Sequence, residues 1–160
     1  MILSLAAACG GDSAEPTSDG SSGDIGSSGD SGDEAYVAIG TGFPSYIPVS
    51  DGDTLPIIEG IQGGFHLWGG FEVSGLEPIG LTIEFDLEWN GESIGGASYT
   101  DELSGDSNPF DYGGVAIIFS DNELPTQVSG QTVTVSVRLE DTAGVVVSNS
   151  VEVIPECCSF

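Results

Sequence analysis

The chain has 160 residues, and its 26 aspartates and glutamates are accompanied by a single arginine, Arg138, and no lysine, which gives a formal net charge of −25. Proteins bind nucleic acids mainly by neutralising phosphates with lysine and arginine, so this composition excludes nucleic acid as a partner, and it also excludes binding to an anionic membrane surface through basic side chains. The length leaves room for one ordinary domain and some additional chain.

The first residues are apolar and end in small side chains before a cysteine. Residues 2–8 read Ile-Leu-Ser-Leu-Ala-Ala-Ala, and Cys9 follows them. This stretch resembles the end of a bacterial lipoprotein signal peptide, which implies that residues 1–8 are a signal-peptide remnant and that Cys9 carries a lipid anchoring the chain to a membrane. Because a signal peptide needs a positively charged start, we expect translation to begin upstream of Met1. The alternative is an ordinary N-terminal segment with a chance cysteine.

The segment after the cysteine has the composition of a tether. Residues 10–34 contain 7 glycines, 7 serines and 7 acidic residues. The few apolar side chains of this segment cannot offset the conformational entropy lost on folding. Residues 9–34 are therefore predicted to form a disordered linker, which repulsion between its negative charges would extend. In the bacterial lipoproteins that this segment resembles, an aspartate directly after the cysteine signals retention in the inner membrane. Gly10 stands there instead, which implies the outer membrane or the cell surface.

The composition changes at Ala35, where valine, isoleucine and aromatic residues begin to alternate with polar ones. The clearest segment is residues 81–89, with an apolar side chain at every second position. Such alternation predicts a half-buried antiparallel strand. The Asn90-Gly91 pair that follows is typical of a two-residue hairpin turn because both residues tolerate positive φ. We therefore predict that residues 92–99 pair back against this strand.

A second hairpin is predicted near the end of the chain. Residues 133–139 alternate aliphatic and polar side chains, residues 141–144 form a turn, and residues 145–154 return as a strand. Less regular strands are predicted at residues 36–39, 55–61, 64–73 and 115–120. About seven or eight short strands without a sustained helical period indicate an all-β antiparallel sandwich over residues 35–160. The last hairpin resembles that of bacterial immunoglobulin-like domains, and this resemblance implies an immunoglobulin-like β-sandwich.

The segment from Gln62 to Gly70 contains the only histidine of the chain, His66, and one of its two tryptophans, Trp68. In a strand both side chains would leave the same face. An indole can pack against a sugar ring or an aliphatic group, and an imidazole can donate or accept a hydrogen bond, so this surface is a candidate binding site for a glycan or a protein. The alternative is that the two rings only cover a sheet edge and that the glycines mark a bulge or close strand packing.

Two acidic loops offer oxygen ligands for calcium. The better candidate contains Asp106, Asn108 and Asp111, and the second is the segment of residues 51–53. Neither has the spacing of an EF-hand. The alternative interpretation is that these side chains are simply solvated, which is the usual state of acidic loops in a strongly acidic protein.

The remaining cysteines, Cys157 and Cys158, are adjacent. Neighbouring Cα atoms lie about 3.8 Å apart, below the usual disulfide range of about 4.4–6.8 Å, so a bond between these two would be strained. The alternatives are a disulfide to another chain and a copper(I) site with His66 as a third ligand. An oxidised, non-catalytic pair is the interpretation that we favour.

No catalytic residue is nominated, because with 26 acidic residues a pair of carboxylates carries no information. The sequence therefore predicts a lipid-anchored protein of the bacterial cell envelope whose domain is not an enzyme and serves binding or envelope structure. The alternative is a metal-binding envelope protein that uses calcium or copper.

Overall fold

The computed structural model describes residues 34–104 and 108–157. The predicted signal-peptide remnant, Cys9 and the linker up to residue 33 lie outside the described residues. In chain order the described strands are β1 (Tyr36–Thr41), β2 (Ile47–Pro48), β3 (Asp53–Glu59), β4 (Phe65–Ser74), β5 (Leu81–Trp89), β6 (Glu92–Asp101), β7 (Phe110–Phe119), β8 (Val133–Glu140) and β9 (Val146–Cys157), with one helix, α1 (Leu124–Val128), before β8. The all-β class is confirmed.

The two hairpins predicted from the sequence are also confirmed. β5 has the predicted bounds and pairs with β6 along its whole length. The turn between them places Asn90 at φ 54° and Gly91 at φ 82°, the positive values that a tight hairpin turn requires. β8 pairs with β9 along its whole length. In both hairpins the apolar side of one strand therefore meets the apolar side of the next.

Three elements differ from the sequence prediction. β7 begins at Phe110 rather than at residue 115, because its pairing with β4 extends past Gly113 and Gly114, where the apolar alternation is interrupted. The sequence pattern does not predict β2, which has only two residues, both exposed. It does not predict α1 either, since five residues are too few to show a helical period. No helix in the described ranges has the length and apolar character of a membrane-crossing segment.

Seven of the nine described strands close into a barrel. Around the ring the order is β3, β9, β8, β5, β6, β7 and β4, and β4 returns to β3. All neighbours in the ring are antiparallel except β3 and β9, which run parallel over residues 53–57 and 153–157. β1 and β2 lie outside the ring, since β1 pairs with the second half of β4 and β2 pairs with β1. The described strands thus belong to one mixed sheet, and the prediction of a wholly antiparallel arrangement is wrong at the pairing of β3 with β9. Strand alternation predicts the face of a side chain but not the direction of the neighbouring strand.

The barrel encloses the apolar side chains that alternate along the strands. In β5, Leu81, Ile83 and Leu87 are fully buried, and the polar side chains between them are partly exposed. β8 shows the same alternation, and Leu67 and Phe71 of β4 are fully buried opposite it. Because a strand sends every second side chain to the other face, the acidic residues of these strands remain on the outside.

The pairing around the ring is short between β6 and β7, as it is between β3 and β4. Two residue pairs join β6 and β7, Gly95 with Phe119 and Gly96 with Ile118. A Cβ atom added at Gly95 would overlap the carbonyl oxygen of Ile118. Closure of the barrel therefore depends on the absence of a side chain at this position. Further along the two strands the link is made by side chains, where the Tyr112 hydroxyl donates a hydrogen bond to the Asp101 carboxylate.

The carboxylate of Asp141 ties the β8–β9 turn to the loop between β4 and β5. Asp141 is 6% exposed and accepts hydrogen bonds from the backbone N–H groups of Glu77 at 3.1 Å, Ala143 at 2.9 Å and Val145 at 2.8 Å. These donors, the N–H of Glu77 first, hold the pKa of Asp141 below its usual value. The ionised form of Asp141 is therefore favoured in the folded state.

We expect Asp141→Asn to lower the melting temperature at neutral pH by several degrees, because a neutral amide accepts these hydrogen bonds more weakly than a carboxylate. Since the folded-state pKa of Asp141 is depressed, its contribution is fully present above the unfolded pKa of about 3.9 and is lost as pH falls through the folded pKa. The difference in melting temperature between the wild type and the variant should therefore vanish in acid.

Thermal unfolding of both proteins across this pH range checks the prediction. The matched control is Glu88→Gln, which removes one negative charge from an exposed strand position. If Glu88→Gln and Asp141→Asn change the melting temperature equally, the effect of Asp141 is one of net charge and not of these hydrogen bonds.

Candidate functional site

β4 places His66 and Trp68 on the outer face of the barrel. Leu67 lies between them in the chain and points into the core, where it is fully buried. The imidazole and the indole meet at a centroid distance of 4.6 Å and an interplanar angle of 80°. The predicted common surface of the two rings is therefore present, and it follows from simple strand alternation.

A third ring, which the sequence analysis missed, belongs to this surface. Phe43, in the connection between β1 and β2, stacks on Trp68 at a centroid distance of 4.7 Å and an interplanar angle of 23°. Phe43 is itself 67% exposed. One face of the indole is therefore covered, and the ring presented to solvent there is a phenyl group. No periodic pattern in the sequence marks Phe43, because it lies in a loop.

Glycines of β7 make room for this loop. A Cβ atom at Gly113 would lie 2.7 Å from the carbonyl carbon of Ser45, and one at Gly114 would lie 2.8 Å from the Phe43 ring. The register between β4 and β7 shifts between Gly69 and Gly70 of β4, and Gly114 is the extra residue that β7 inserts there. Gly114 has a φ of 85°. The prediction that the glycines near Trp68 mark a bulge is confirmed, and this bulge provides the seat of Phe43.

A groove of about 390 Å³ lies on the other side of His66. Ile118 of β7 stands opposite His66 in register, and Ile61, in the turn between β3 and β4, also lines the groove. Ile61 is fully exposed and Ile118 is 56% exposed. We refer to the surface formed by five side chains as the outer apolar strip: Phe43, Ile61, His66, Trp68 and Ile118. It is contiguous, since each member shares a ring contact or the groove with a neighbour.

His66 is the polar member of the outer apolar strip. Its Nε2 atom is buried, and no hydrogen-bond partner for this atom is found within residues 34–104 and 108–157. Burial lowers the pKa of His66, which favours the neutral imidazole. A neutral imidazole presents one donor and one acceptor, which gives the strip one directional group among apolar ones.

The same outer face becomes acidic beyond the bulge. Glu72 of β4 and Asp111 of β7 stand opposite each other in register, on the side away from the buried Phe71. The hydroxyl of Tyr36 donates a hydrogen bond to Glu72 at 2.9 Å. Burial first, and then the negative charges of Glu72 and Asp111, raise the pKa of Tyr46. Carboxylates therefore lie further along the face that carries the outer apolar strip, beyond the loop that contains Tyr46.

The structure describes the side chains of the predicted calcium loops only in part, so the calcium site stays a prediction. Asp106 lies outside the described residues. Asn108 accepts a hydrogen bond from the Ser74 hydroxyl at 2.8 Å through its side-chain oxygen, and Asp111 lies in β7 opposite Glu72. In the second loop the carboxylates of residues 51 and 53 accept hydrogen bonds from backbone N–H groups. Among the described residues there is no group of three histidine, cysteine or acidic side chains that could hold a metal ion.

The cysteines are described only in part. Cys157 ends β9 opposite Ile57 of β3, and its backbone N–H donates a hydrogen bond to the Ser129 hydroxyl at 3.0 Å. Cys158 lies outside the described residues, so a bond between the two cysteines stays a prediction. His66 pairs with Ile58 of β3 and Cys157 with the neighbouring Ile57, so β3 connects the strands that carry them.

A second groove, of about 780 Å³, is lined by residues of β5, β6, β7 and β8, Ile118 among them. It contains Arg138, which pairs with Glu84 at 3.2 Å and with Glu140 at 2.5 Å. Hydrogen bonding to Glu140 is the first of the interactions that raise the pKa of Arg138. The arginine charge is thus compensated within the chain, and this polar groove presents no cation that is left over for an anionic ligand.

A scan against models of known protein families finds none that matches this chain, and a search of curated proteins finds no significant relative. We therefore infer a function from the geometry of the outer apolar strip and from the chemistry of its side chains.

We expect Phe43→Ala to expose the Trp68 indole, because the phenyl ring covers one of its faces. In a Trp89→Phe background, where Trp68 is the only tryptophan, the emission should shift to longer wavelength and acrylamide should quench it more strongly. The lost ring pair should also cost about 0.5–1.5 kcal/mol of unfolding free energy beyond the lost burial.

Fluorescence and denaturant unfolding measure these two effects. Ile79→Ala, at an exposed position on the loop between β4 and β5, serves as the control and should change neither. An emission spectrum that is the same with and without the Phe43 ring would show that Phe43 does not lie on the indole in solution.

Proposed function

We propose that this chain is a lipid-anchored protein of the bacterial cell envelope, in the outer membrane or at the cell surface, with a non-catalytic binding domain. The support for the anchor is the run of small residues before Cys9 and the 25 residues of glycine, serine and acidic character that follow it. Such a linker would hold a folded domain clear of the membrane surface.

We further propose that the domain is an immunoglobulin-like sandwich whose edge strands bridge its two layers. In support, β4 pairs with β7 and β1, while β9, β8, β5 and β6 follow one another as neighbours. In the proposed sandwich these two groups would form the two layers, with strands on opposite sides of the core facing each other. Two strands would then join the layers. β3 pairs with β9 of one layer and with β4 of the other, and β6 pairs with β5 of one layer and with β7 of the other.

The observation that carries the binding function is the outer apolar strip. Three of its members, Phe43, Ile61 and Ile118, are more than half exposed in a protein with a net charge of −25. Single exposed apolar side chains are common, but a contiguous group bordered by polar residues is typical of an interaction surface. The non-catalytic role is part of the proposal, because the sequence nominates no catalytic residue.

We expect Cys9 to carry the lipid when the chain is produced in a bacterial host behind a lysine-containing signal-peptide start. The mature protein should be recovered with the membranes, and its intact mass should exceed that of the polypeptide from residue 9 by the mass of the acyl groups. Cys9→Ala should remove this increment, and Cys157→Ala should keep it. A wild type with the mass of the bare polypeptide would contradict the anchor.

We also expect the outer apolar strip to be in contact with a ligand in the envelope. A photoreactive benzophenone amino acid at Ile118 should give discrete crosslinked products in cells, because Ile118 lies in the strip. The same group at Ile79, which is similarly exposed at 62% against 56%, should not. Gel electrophoresis and mass spectrometry identify the products. Equal crosslinking from both positions, or none from either, would contradict a binding function of this surface.

A further inference from the structure

The exposed side of the outer apolar strip consists of aliphatic and phenyl groups rather than of a free indole face. The main exposed groups are Ile61, Phe43 and Ile118. Phe43 covers one face of Trp68, and an indole face is where a sugar ring would stack. This composition favours the apolar side chains of a protein over a glycan as the occupant.

The groove beside His66 suits an apolar side chain. It is lined by aliphatic and aromatic groups, with Ile61 on one side and Ile118 on the other. The Nε2 atom of His66 is buried without a partner among the described residues. This atom has almost no solvent-accessible surface, so the groove offers an occupant mainly apolar contact.

Charge restricts the occupant further. The carboxylates of Glu72 and Asp111 lie further along the outer face of β4 and β7. The single arginine of the chain, Arg138, is already paired with Glu84 and Glu140. The cations that would compensate these carboxylates must therefore come from the partner. A second copy of this chain would instead add a further 25 negative charges, which disfavours self-association through this surface.

We propose that the outer apolar strip binds a cationic amphipathic segment of another protein. In this complex an apolar side chain of the partner enters the groove beside His66, and lysines or arginines on either side of it meet Glu72 and Asp111. A central apolar anchor with charged groups around it is a common arrangement in protein interfaces. The inference rests on the proposed binding function of the same surface and adds the chemical class of the partner.

Three synthetic peptides test the proposal with the full chain carrying Cys9→Ser. The first alternates lysine and leucine, the second replaces lysine with glutamate, and the third replaces leucine with serine. Titration calorimetry measures their affinities. We expect the lysine–leucine peptide to bind, its affinity to fall as salt is added, and the other two to bind at least about tenfold more weakly, a difference of about 1.4 kcal/mol.

Substitutions in the protein locate the binding surface. Ile61→Ser and Ile118→Ser should each weaken the lysine–leucine peptide several-fold, and Ile79→Ser, the equally exposed control, should not. Ile61 lies in a turn, so its substitution tests the surface without weakening a strand. The double variant Glu72→Gln and Asp111→Asn should also weaken binding of this peptide. Its control is the double variant Glu88→Gln and Glu156→Gln, which removes the same charge elsewhere and should weaken binding less.

Two results would overturn the proposal. The first is equal binding of the lysine–serine and lysine–leucine peptides, or equal effects of the substitutions at Ile118 and Ile79, because binding would then be electrostatic only. The second is equal binding of the glutamate–leucine peptide, or a crosslink from Ile118 to a second copy of this chain or to a glycan.

The crosslinking and peptide experiments together distinguish two failures. If Ile118 forms crosslinks in cells but the lysine–leucine peptide does not bind, the proposed partner chemistry is wrong and the binding function stands. If Ile118 forms no crosslinks and the peptide does not bind, the proposed binding function is wrong as well.

Discussion

A carboxylate in the apolar interior would be costly in this chain, because one arginine is available to compensate 26 acidic residues. Strand alternation avoids this cost: Glu84 leaves β5 on the side opposite to the buried Ile83 and Phe85. Among the described acidic residues Asp141 is the buried one, and backbone N–H groups rather than a cation satisfy its carboxylate. An almost purely anionic chain can therefore close a β-barrel when the acidic side chains of its strands lie on the outer face.

The same period explains which parts of the fold the sequence predicts. β5 and β8 alternate without interruption, and their bounds and hairpins follow from the pattern. β7 is recognised only in its second half because Gly113 and Gly114 interrupt the alternation, and α1 is too short to have a period. A period shows which face a side chain occupies but not which strand lies beside it. The parallel pairing of β3 with β9 and the closure between β6 and β7 therefore cannot be derived from it.

The residues of the candidate site also fall into those that strand alternation predicts and those that it does not. That His66 and Trp68 share a face follows from their spacing within a strand. Phe43 reaches Trp68 through a loop, and its position depends on the missing side chains of Gly113 and Gly114 on a distant strand. The groove between Ile61 and Ile118 likewise requires the β4–β7 register. Sequence patterns identify the polar and aromatic residues of a strand, whereas the apolar groups that complete the surface come from tertiary pairing.

β1 lies outside the closed ring, so an applied force would separate the strands of the domain in a defined sequence. A pulling force applied to the chain before Tyr36 would act first on the five residue pairs between β1 and β4, since the seven-strand ring does not need β1 for its closure. The loop that carries Phe43 directly follows β1. Once those pairs separated, the phenyl ring would leave the indole of Trp68, so tension on the N-terminal side would change the surface that the domain presents.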